Sequence, residues 1–184
     1  MTKKIQRIDI EDTFQRMLCE MVPEVDNQNI RPAYQQNELA GKYITNEFGE
    51  TEVVPFTPHD NFIYFTVIFD SEETQSYTFP NGDVELRRGV SLQVSCYGED
   101  SEDISSKIFS LIRADSFMYM LQAQGLFLQS MDDTINQLWE NVNEEWIERH
   151  DFTAKYNKVF KIENPLPNKP AKKMELIVEV DDSV

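Results

Sequence analysis

Residues 99–103, with the sequence EDSED, place four carboxylates within five positions, a grouping that could bind a metal ion. A calcium-binding loop spreads its oxygen ligands over about twelve residues, with a glycine near the middle and a closing glutamate. No glycine occurs between Gly98 and Gly125, so the cluster does not fit that pattern. Carboxylates also favour the first turn of a helix, where they interact with the helix dipole, and Asp100 or Ser101 could be the N-cap. We interpret the cluster as the beginning of a helix.

Histidine and cysteine, the other residues that commonly perform catalysis or bind metals, occur only twice each. His59 and His150 lack a second histidine or a cysteine at the spacing of a zinc site. The sequence also lacks the G-x-S-x-G nucleophile motif and the glycine-rich motifs that bind phosphate. A Ser-His-Asp arrangement assembled by the fold stays open, although His150, on the apolar side of a strand pattern, is more typical of a packed histidine. We therefore predict no catalytic residues, cofactor or metal site. Cys19 lies on a helical apolar stripe and Cys96 on the buried side of a strand pattern, so we predict buried free thiols, with a disulfide as the alternative.

The chain is strongly acidic, and its charge is unevenly distributed. It has 33 acidic and 17 basic residues among 184, a net charge of −16, which repels nucleic acid and anionic membranes. No apolar run reaches the ~18 residues that a membrane span needs, and the N-terminus lacks the apolar core of a signal peptide, so we expect assembly in the cytoplasm. Residues 155–173 reverse the balance, with six lysines and one acid. Such a segment could attract an acidic neighbouring copy, or it could be a solvated loop.

Hydrophobic periodicity predicts the elements that position these residues. Apolar positions at helical spacing predict helices at 9–22, 101–114 and 116–124. β-Branched and aromatic runs predict strands at 62–69, 75–79, 83–97, 126–130, 146–162 and 174–180, and Asn81-Gly82 is typical of a hairpin turn. Residues 24–61 predict a long irregular arm, residues 133–145 a loop or helical turn, and residues 164–173 an extended Pro/Lys-rich loop. The predicted fold is one α+β domain spanning 1–184, a mostly antiparallel, twisted β-sheet with its helices packed on one face.

Three stretches of the sequence together resemble a known family. They are NIRPAYQQN at 29–37, RRGVSLQVSCYGEDSEDISSKIFSLI at 87–112 and ERHDFTAKYNKVF at 148–160. In this order they are similar to the tail or neck terminator proteins of tailed bacteriophages, the neck terminator-like group. The resemblance spans residues 8–162, and its motifs are features of a fold and not of catalysis.

The resemblance implies a virion structural protein that forms a ring, usually a homohexamer, at the head-proximal end of the tail tube. There it would stop tube polymerisation and join the tube, and in a contractile tail the sheath, to the head connector or stopper protein. DNA would pass through the lumen without specific binding, and an acidic wall suits this passage because it repels phosphate. The expected location is the tail or neck of the virion, assembled in the host cytoplasm, with no membrane contact.

The resemblance and the charge pattern also suggest which residues touch neighbouring proteins. Interface candidates come from the arm motif, the hairpin tip, the polar side of the closing strand and the lysine-rich segment: Arg31, Pro32, Tyr34, Gln35, Asn81, Gly82, Arg149, Asp151, Lys169, Lys172 and Lys173. Each of them could instead have a role within its own chain. Trp146 lies on the apolar side of the closing strand and is expected in the core, since most tryptophans are largely buried.

A second function is consistent with the net charge of −16. An acidic protein can mimic DNA and inhibit a host protein that processes nucleic acid. Such a mimic should present carboxylates along one continuous face at phosphate spacing, whereas the acids of this chain are scattered and interrupted by the lysine-rich segment. An enzyme is a third possibility that rests only on Ser, His and Asp residues of a kind that any chain contains. The sequence therefore favours a structural protein.

Overall fold

The computed structural model describes residues 7–33, 41–45, 49–69, 75–80, 83–142 and 144–162. They form the helices α1 (Arg7–Met21), α2 (Ser101–Leu111) and α3 (Asp115–Ala123) and a 3-10 turn at Asn27–Asn29. The strands are β1 (Ile30–Pro32), β2 (Gly41–Thr45), β3 (Thr51–Pro55), β4 (Phe62–Phe69), β5 (Gln75–Thr78), β6 (Val84–Tyr97), β7 (Leu126–Met131), β8 (Asn136–Val142) and β9 (Glu145–Ile162). Among the described helices, none is long and apolar enough to span a membrane.

Seven of the strands form one sheet around the long strands β6 and β9. These two pair antiparallel without a register shift, from Val84 opposite Ile162 to Tyr97 opposite Arg149. Strands β4 and β5 pair with the other edge of β6, while β7 and β8 pair with the other edge of β9. Strand β1 adds to β4 in parallel, and β2 and β3 form a separate antiparallel hairpin. The predicted α+β fold with a mostly antiparallel sheet is therefore confirmed.

The helices cover one face of this sheet and share its main core. The alternation predicted for β6 is confirmed, because Val90, Leu92, Val94 and Cys96 are all buried on this face. Burial of each such side chain contributes about 1.5–3 kcal/mol relative to exposure. The helices contribute their apolar stripes to the same core, among them Phe14, Met17, Leu18, Ile104, Ile108 and Leu121.

The opposite face of the sheet carries a smaller aromatic core. Phe62 of β4 stacks on Phe56 with ring centroids 4.0 Å apart and on Tyr97 of β6 at 4.5 Å. Tyr64 and Ile147 complete this cluster. Strand β4 is therefore covered on both faces, which explains why its sequence FIYFTVIF is apolar at both odd and even positions.

Two stretches contain more regular structure than the sequence predicted. Residues 133–145 are not a loop or a helical turn, because β8 occupies Asn136–Val142 and pairs with β9. Within residues 24–61, which were predicted to be irregular, the structure has the 3-10 turn, β1 and the β2–β3 hairpin. Both differences arise from pairing: β1 is held by β4 and β8 by β9, and a strand of three residues or one with a solvated face leaves little local periodicity.

Some predictions fall on residues that the structure does not describe. Residues 164–173 and the predicted strand at 174–180 lie outside the described ranges, as does the turn Asn81-Gly82. The hairpin itself is confirmed, since β5 and β6 pair antiparallel with Thr78 opposite Val84.

Candidate interaction surfaces

The acidic cluster at residues 99–103 begins α2, as the sequence predicted. Asp100 is at the N-cap position, but its side chain does not cap the helix. It accepts a hydrogen bond from Asn61 Nδ2 at 2.8 Å, while the backbone N–H of Asp100 donates to Asn61 Oδ1 at 3.0 Å. Glu99 Oε2 lies 3.0 Å from His59 Nδ1. The cluster thus joins the start of α2 to the segment before β4, and within the described ranges no three potential ligands group closely enough to hold a metal.

The three residue types of a catalytic triad, a serine, a histidine and an acid, lie close together at the start of α2. Ser101 Oγ lies 3.0 Å from His150 Nδ1, and His150 Nε2 lies 3.9 Å from Glu148 Oε1. Ser101 is 0% exposed and His150 only 4%, so a substrate has no access to the hydroxyl. The contact fastens the first turn of α2 to β9, which agrees with the prediction of a packed His150.

Arg149 is the centre of a polar network on the opposite face of the sheet. Its Nε donates to Asp151 Oδ1 at 2.7 Å and its Nη1 to Glu140 Oε2 at 2.6 Å. The hydroxyl of Tyr97 donates to the same Glu140 oxygen at 2.8 Å. The hydrogen bonds that Arg149 donates to Asp151 and to Glu140 raise the pKa of Arg149, although burial lowers it.

This network is an intrachain one that joins β6, β8 and β9. Arg149 and Asp151 do share the polar side of the closing strand, as the sequence indicated, and they bind each other. Their contact with a neighbouring subunit stays a prediction. Glu140 could not be predicted as their partner, because the strand that carries it, β8, was not predicted.

Arg31 likewise has contacts within its own chain. It is 6% exposed; its Nε donates to the carbonyl of Gln28 and its Nη2 to that of Gly41 at 3.1 Å. The guanidinium also lies 6.0 Å from the centroid of the Phe56 ring. Pro32 of β1 is buried and lies opposite Phe65 of β4. These contacts hold β1 and β2 beside the aromatic core, and a subunit contact at either residue stays a prediction.

The remaining interface candidates lie outside the described residues: Tyr34, Gln35, Asn81, Gly82, Lys169, Lys172 and Lys173.

Two tryptophans form an exposed surface that the sequence did not reveal. Trp139 is 60% exposed and Trp146 is 64% exposed, so the expectation that Trp146 lies in the core is wrong. Strand β6 ends opposite Arg149 of β9. The four β9 residues before Arg149 extend beyond β6 and pair with β8, and on their other side Glu148 accepts a backbone hydrogen bond from Gly98. Trp146 is therefore on the predicted side of the strand, but the sheet and helices that would cover it have ended.

Trp139 and Trp146 lie on the same side of the β8–β9 hairpin. Trp139 is opposite Glu148 and Trp146 is opposite Asn141, so the two indoles are diagonal neighbours on one face. We call this side of the hairpin the Trp face. It adjoins the acidic start of α2, because the backbone N–H of Gly98 donates to the carbonyl of Glu148 at 3.2 Å.

Exposed apolar side chains concentrate on the three antiparallel hairpins of the described chain. Seven of the ten large apolar side chains that are exposed belong to them: Ile44 and Val53 on β2–β3, Tyr77 and Phe79 on β5–β6, and Leu138, Trp139 and Trp146 on β8–β9. Two of these sets share a surface: Tyr77 and Phe79, whose ring centroids are 4.9 Å apart, and the two tryptophans of the Trp face. Apolar side chains grouped at a surface are typical of sites that bind other proteins. Such a molecule has the features of an assembly protein.

Comparison with known families identifies the kind of assembly. Residues 9–181 match the sequence model of the family described as phage neck terminator protein. The chain belongs to this family, which confirms the resemblance found in the sequence. It is accordingly a structural protein of the bacteriophage neck and tail and a component of the virion, and the family is not an enzyme family. No curated protein matches the chain.

Proposed function

We propose that the chain forms a closed ring, most simply of six copies, that caps the head-proximal end of the tail tube and joins it to the head connector. The observation that carries this proposal is the family match over residues 9–181. It favours a structural neck protein over the acidic inhibitor of a host nucleic-acid-processing protein.

The distribution of exposed apolar side chains supports self-assembly. A closed ring needs two different surfaces on each copy, so that one surface of each subunit binds the other surface of the next. The hairpins β2–β3 and β8–β9 each present exposed apolar residues. We assign subunit, tube, sheath and connector contacts to these hairpins and to the interface candidates named from the sequence.

The net charge supports a passage for DNA. With a charge of −16 per copy, a ring carries a negative field that repels phosphate, so DNA passes through the lumen without binding tightly to its wall. The ring assembles in the host cytoplasm and stays in the virion.

Negative-stain electron microscopy and mass photometry of the full chain, with and without purified tail tubes, test the proposal. We expect rings in solution at high concentration or at one end of each tube, and tubes that stop elongating when the chain is added. A chain that stays monomeric and binds neither tube nor connector would overturn it.

A variant pair makes this experiment specific. Ile44→Glu combined with Val53→Glu places charge on the β2–β3 hairpin and should reduce ring formation or tube binding. Tyr119→Glu, which changes a 68% exposed residue of α3 that belongs to none of the hairpins, is the matched control and should assemble as the wild type does.

A further inference from the structure

The Trp face has the composition of a surface that is covered by a partner. Tryptophan presents a large apolar area, and an exposed pair of them is unusual in a soluble chain. Trp139 and Trp146 are also the two tryptophans of the whole sequence. An occupant should therefore offer flat apolar groups that stack on indole rings.

The charges around the Trp face indicate that this occupant is cationic. Residues 132–148 contain six acids and no lysine or arginine. Of these, Glu148 lies opposite Trp139 on the Trp face, whereas Glu140 lies on the other side of the hairpin and pairs with Arg149. The acidic residues 99–103 adjoin the Trp face through the hydrogen bond from Gly98 to Glu148. Aromatic grooves bordered by such a field bind proline-rich basic peptides, since proline rings stack on indoles and cations interact with both indoles and carboxylates.

The chain itself contains a segment of this chemistry. Residues 164–173, NPLPNKPAKK, include three prolines, three lysines and no acid, and the family match extends through them to residue 181. Proline-rich sequences favour the extended polyproline conformation, which binds at a low entropic cost. We propose that residues 164–173 of one copy bind the Trp face of a second copy.

The length of the chain requires two copies. Trp146 and Ile162 are sixteen residues apart in β9, which separates them by about 50 Å at the rise of a β-strand. Lys173 follows Ile162 by eleven residues, which span at most about 40 Å when fully extended. The segment therefore falls short of the Trp face of its own chain. In a ring, the arrangement on which this inference rests, a neighbouring copy can supply the Trp face that the segment cannot reach on its own chain.

Fluorescence of the full chain tests the contact directly, because both emitting residues lie on the Trp face. A synthetic peptide of residues 163–174, which has no tryptophan, is titrated into the chain at a concentration where it is monomeric. We expect a saturable blue shift of the emission that weakens in high salt, since screening reduces the attraction between lysines and carboxylates. An emission unchanged up to millimolar peptide would overturn the inference.

Two control peptides separate the charge contribution from the proline contribution. One carries Lys169→Glu, Lys172→Glu and Lys173→Glu, and the other carries Pro165→Ala, Pro167→Ala and Pro170→Ala. Each should bind the chain at least about tenfold more weakly than the natural peptide, as expected for loss of an anchor contact. Equal binding by either control would contradict the proposed mode of recognition.

Assembly of full-chain variants distinguishes this inference from the proposed function. Trp139→Ala with Trp146→Ala, and separately the three lysine changes, should raise the concentration at which the chain self-associates, whereas Tyr119→Ala should not. Circular dichroism verifies that each variant is folded. Rings that form without any change in tryptophan emission would overturn the inference and leave the proposed function intact. A chain that binds the peptide but never associates with tubes would overturn the proposed function and leave the inference intact.

Discussion

Tyr156 and Tyr97 are both buried, yet their hydroxyl groups have opposite environments. The hydroxyl of Tyr156, in the main core, has no hydrogen-bond partner within the described part of the chain, and burial raises its pKa. The hydroxyl of Tyr97 donates to Glu140 at 2.8 Å, and burial followed by this bond to a carboxylate raises its pKa. A buried polar group without a partner costs free energy, whereas a bond to a charged acceptor stabilises.

The two tyrosine-to-phenylalanine variants should therefore change stability in opposite directions. Tyr156→Phe removes an unsatisfied hydroxyl and should leave the free energy of unfolding unchanged or raise it by up to about 1 kcal/mol. Tyr97→Phe removes one of the two hydrogen bonds that Glu140 Oε2 accepts, while the bond from Arg149 stays, and it should lower the free energy of unfolding by about 1–2 kcal/mol. Urea denaturation measures both, each variant being the control for the other. An equal loss in the two variants would contradict the assignment.

Gly98 is a position where only glycine fits, for two separate reasons. Its φ of +106° is one that other residues rarely adopt, and an added Cβ would lie 2.6 Å from Asn61 Oδ1 and closer still to the carbonyl oxygen of Asp60. Gly49 also has a positive φ, +80°, but open space surrounds it. Comparing alanine variants at Gly98 and Gly49 therefore separates the cost of backbone strain from the cost of steric overlap.

Gly98→Ala should accordingly be the more damaging of the two alanine variants. We expect Gly49→Ala to cost about 1 kcal/mol from backbone strain alone, and Gly98→Ala to cost about 3 kcal/mol because the start of α2 must also move away from residues 60–61. Chemical denaturation measures the difference. Similar losses in both variants would show that the overlap at Gly98 is relieved without cost.

At the scale of the elements, Asp60 holds the β2–β3 hairpin against the body of the sheet. Its Oδ1 accepts a hydrogen bond from Lys42 Nζ of β2 at 2.6 Å, and its Oδ2 accepts one from the backbone N–H of Thr57 at 2.8 Å. Burial alone would raise the pKa of Asp60, but the hydrogen bonds from Lys42 and Thr57 outweigh it and lower the pKa. The hairpin is thereby attached through a carboxylate that must stay ionised.

This lowered pKa makes part of the stability dependent on pH. A carboxylate whose pKa is lower in the folded state stabilises the fold above its unfolded pKa of about 3.9, and the contribution disappears as the pH falls through the folded value. Asp60→Asn should thus be less stable than the wild type at pH 6, and the difference should shrink towards pH 3. Lys42→Met removes a group that lowers the pKa of Asp60. In this variant the loss of stability on acidification should therefore begin at a higher pH than in the wild type. A difference that is constant with pH would refute this role.

The elements that the sequence predicted well are those with a strong local pattern. Strand β4 is apolar at every buried position, β6 alternates, and α1 and α2 have clear apolar stripes, so periodicity alone located them. Strand β1 has three residues and exists because β4 lies beside it. Strand β8 has Leu138 and Trp139 exposed, and its pairing with β9 determines its conformation.

The candidate surfaces were predictable only in part, for a related reason. Alternation correctly placed Arg149 and Asp151 on one side of β9 and Trp146 on the other. The burial of Trp146, however, depends on where a different strand ends, and β6 stops pairing at Arg149. Local sequence determines which side a residue occupies, whereas the lengths of neighbouring strands determine whether that side is covered.

At the scale of the whole molecule, the 33 acids outnumber the 17 bases. Ion pairs such as Lys42–Asp60 and Lys107–Glu24 therefore cannot neutralise all of the carboxylates. Repulsion among the excess carboxylates opposes compactness, and the same charges create the field that attracts the lysine-rich segment of a neighbouring copy. The same charge therefore weakens the single subunit and promotes its association.

Salt should separate these two effects, because it screens both. Raising the NaCl concentration from about 0.01 M to 1 M shortens the Debye length from about 30 Å to 3 Å, so the melting temperature of the monomer should rise while binding of the 163–174 peptide should weaken. Circular dichroism and tryptophan emission measure the two responses on the same sample. A melting temperature that falls with salt would mean that ion pairs outweigh repulsion.

A variant with fewer exposed acids gives this experiment its control. Asp133→Asn, Glu144→Gln and Glu145→Gln change the formal charge from −16 to −13, since three negative charges are removed. At low salt this variant should melt at a higher temperature than the wild type and bind the peptide more weakly, and both properties should respond less to salt. If the variant bound the peptide as tightly as the wild type, these three carboxylates would not be what attracts the lysines, and the attraction would have to come from Glu148 and the acidic residues 99–103.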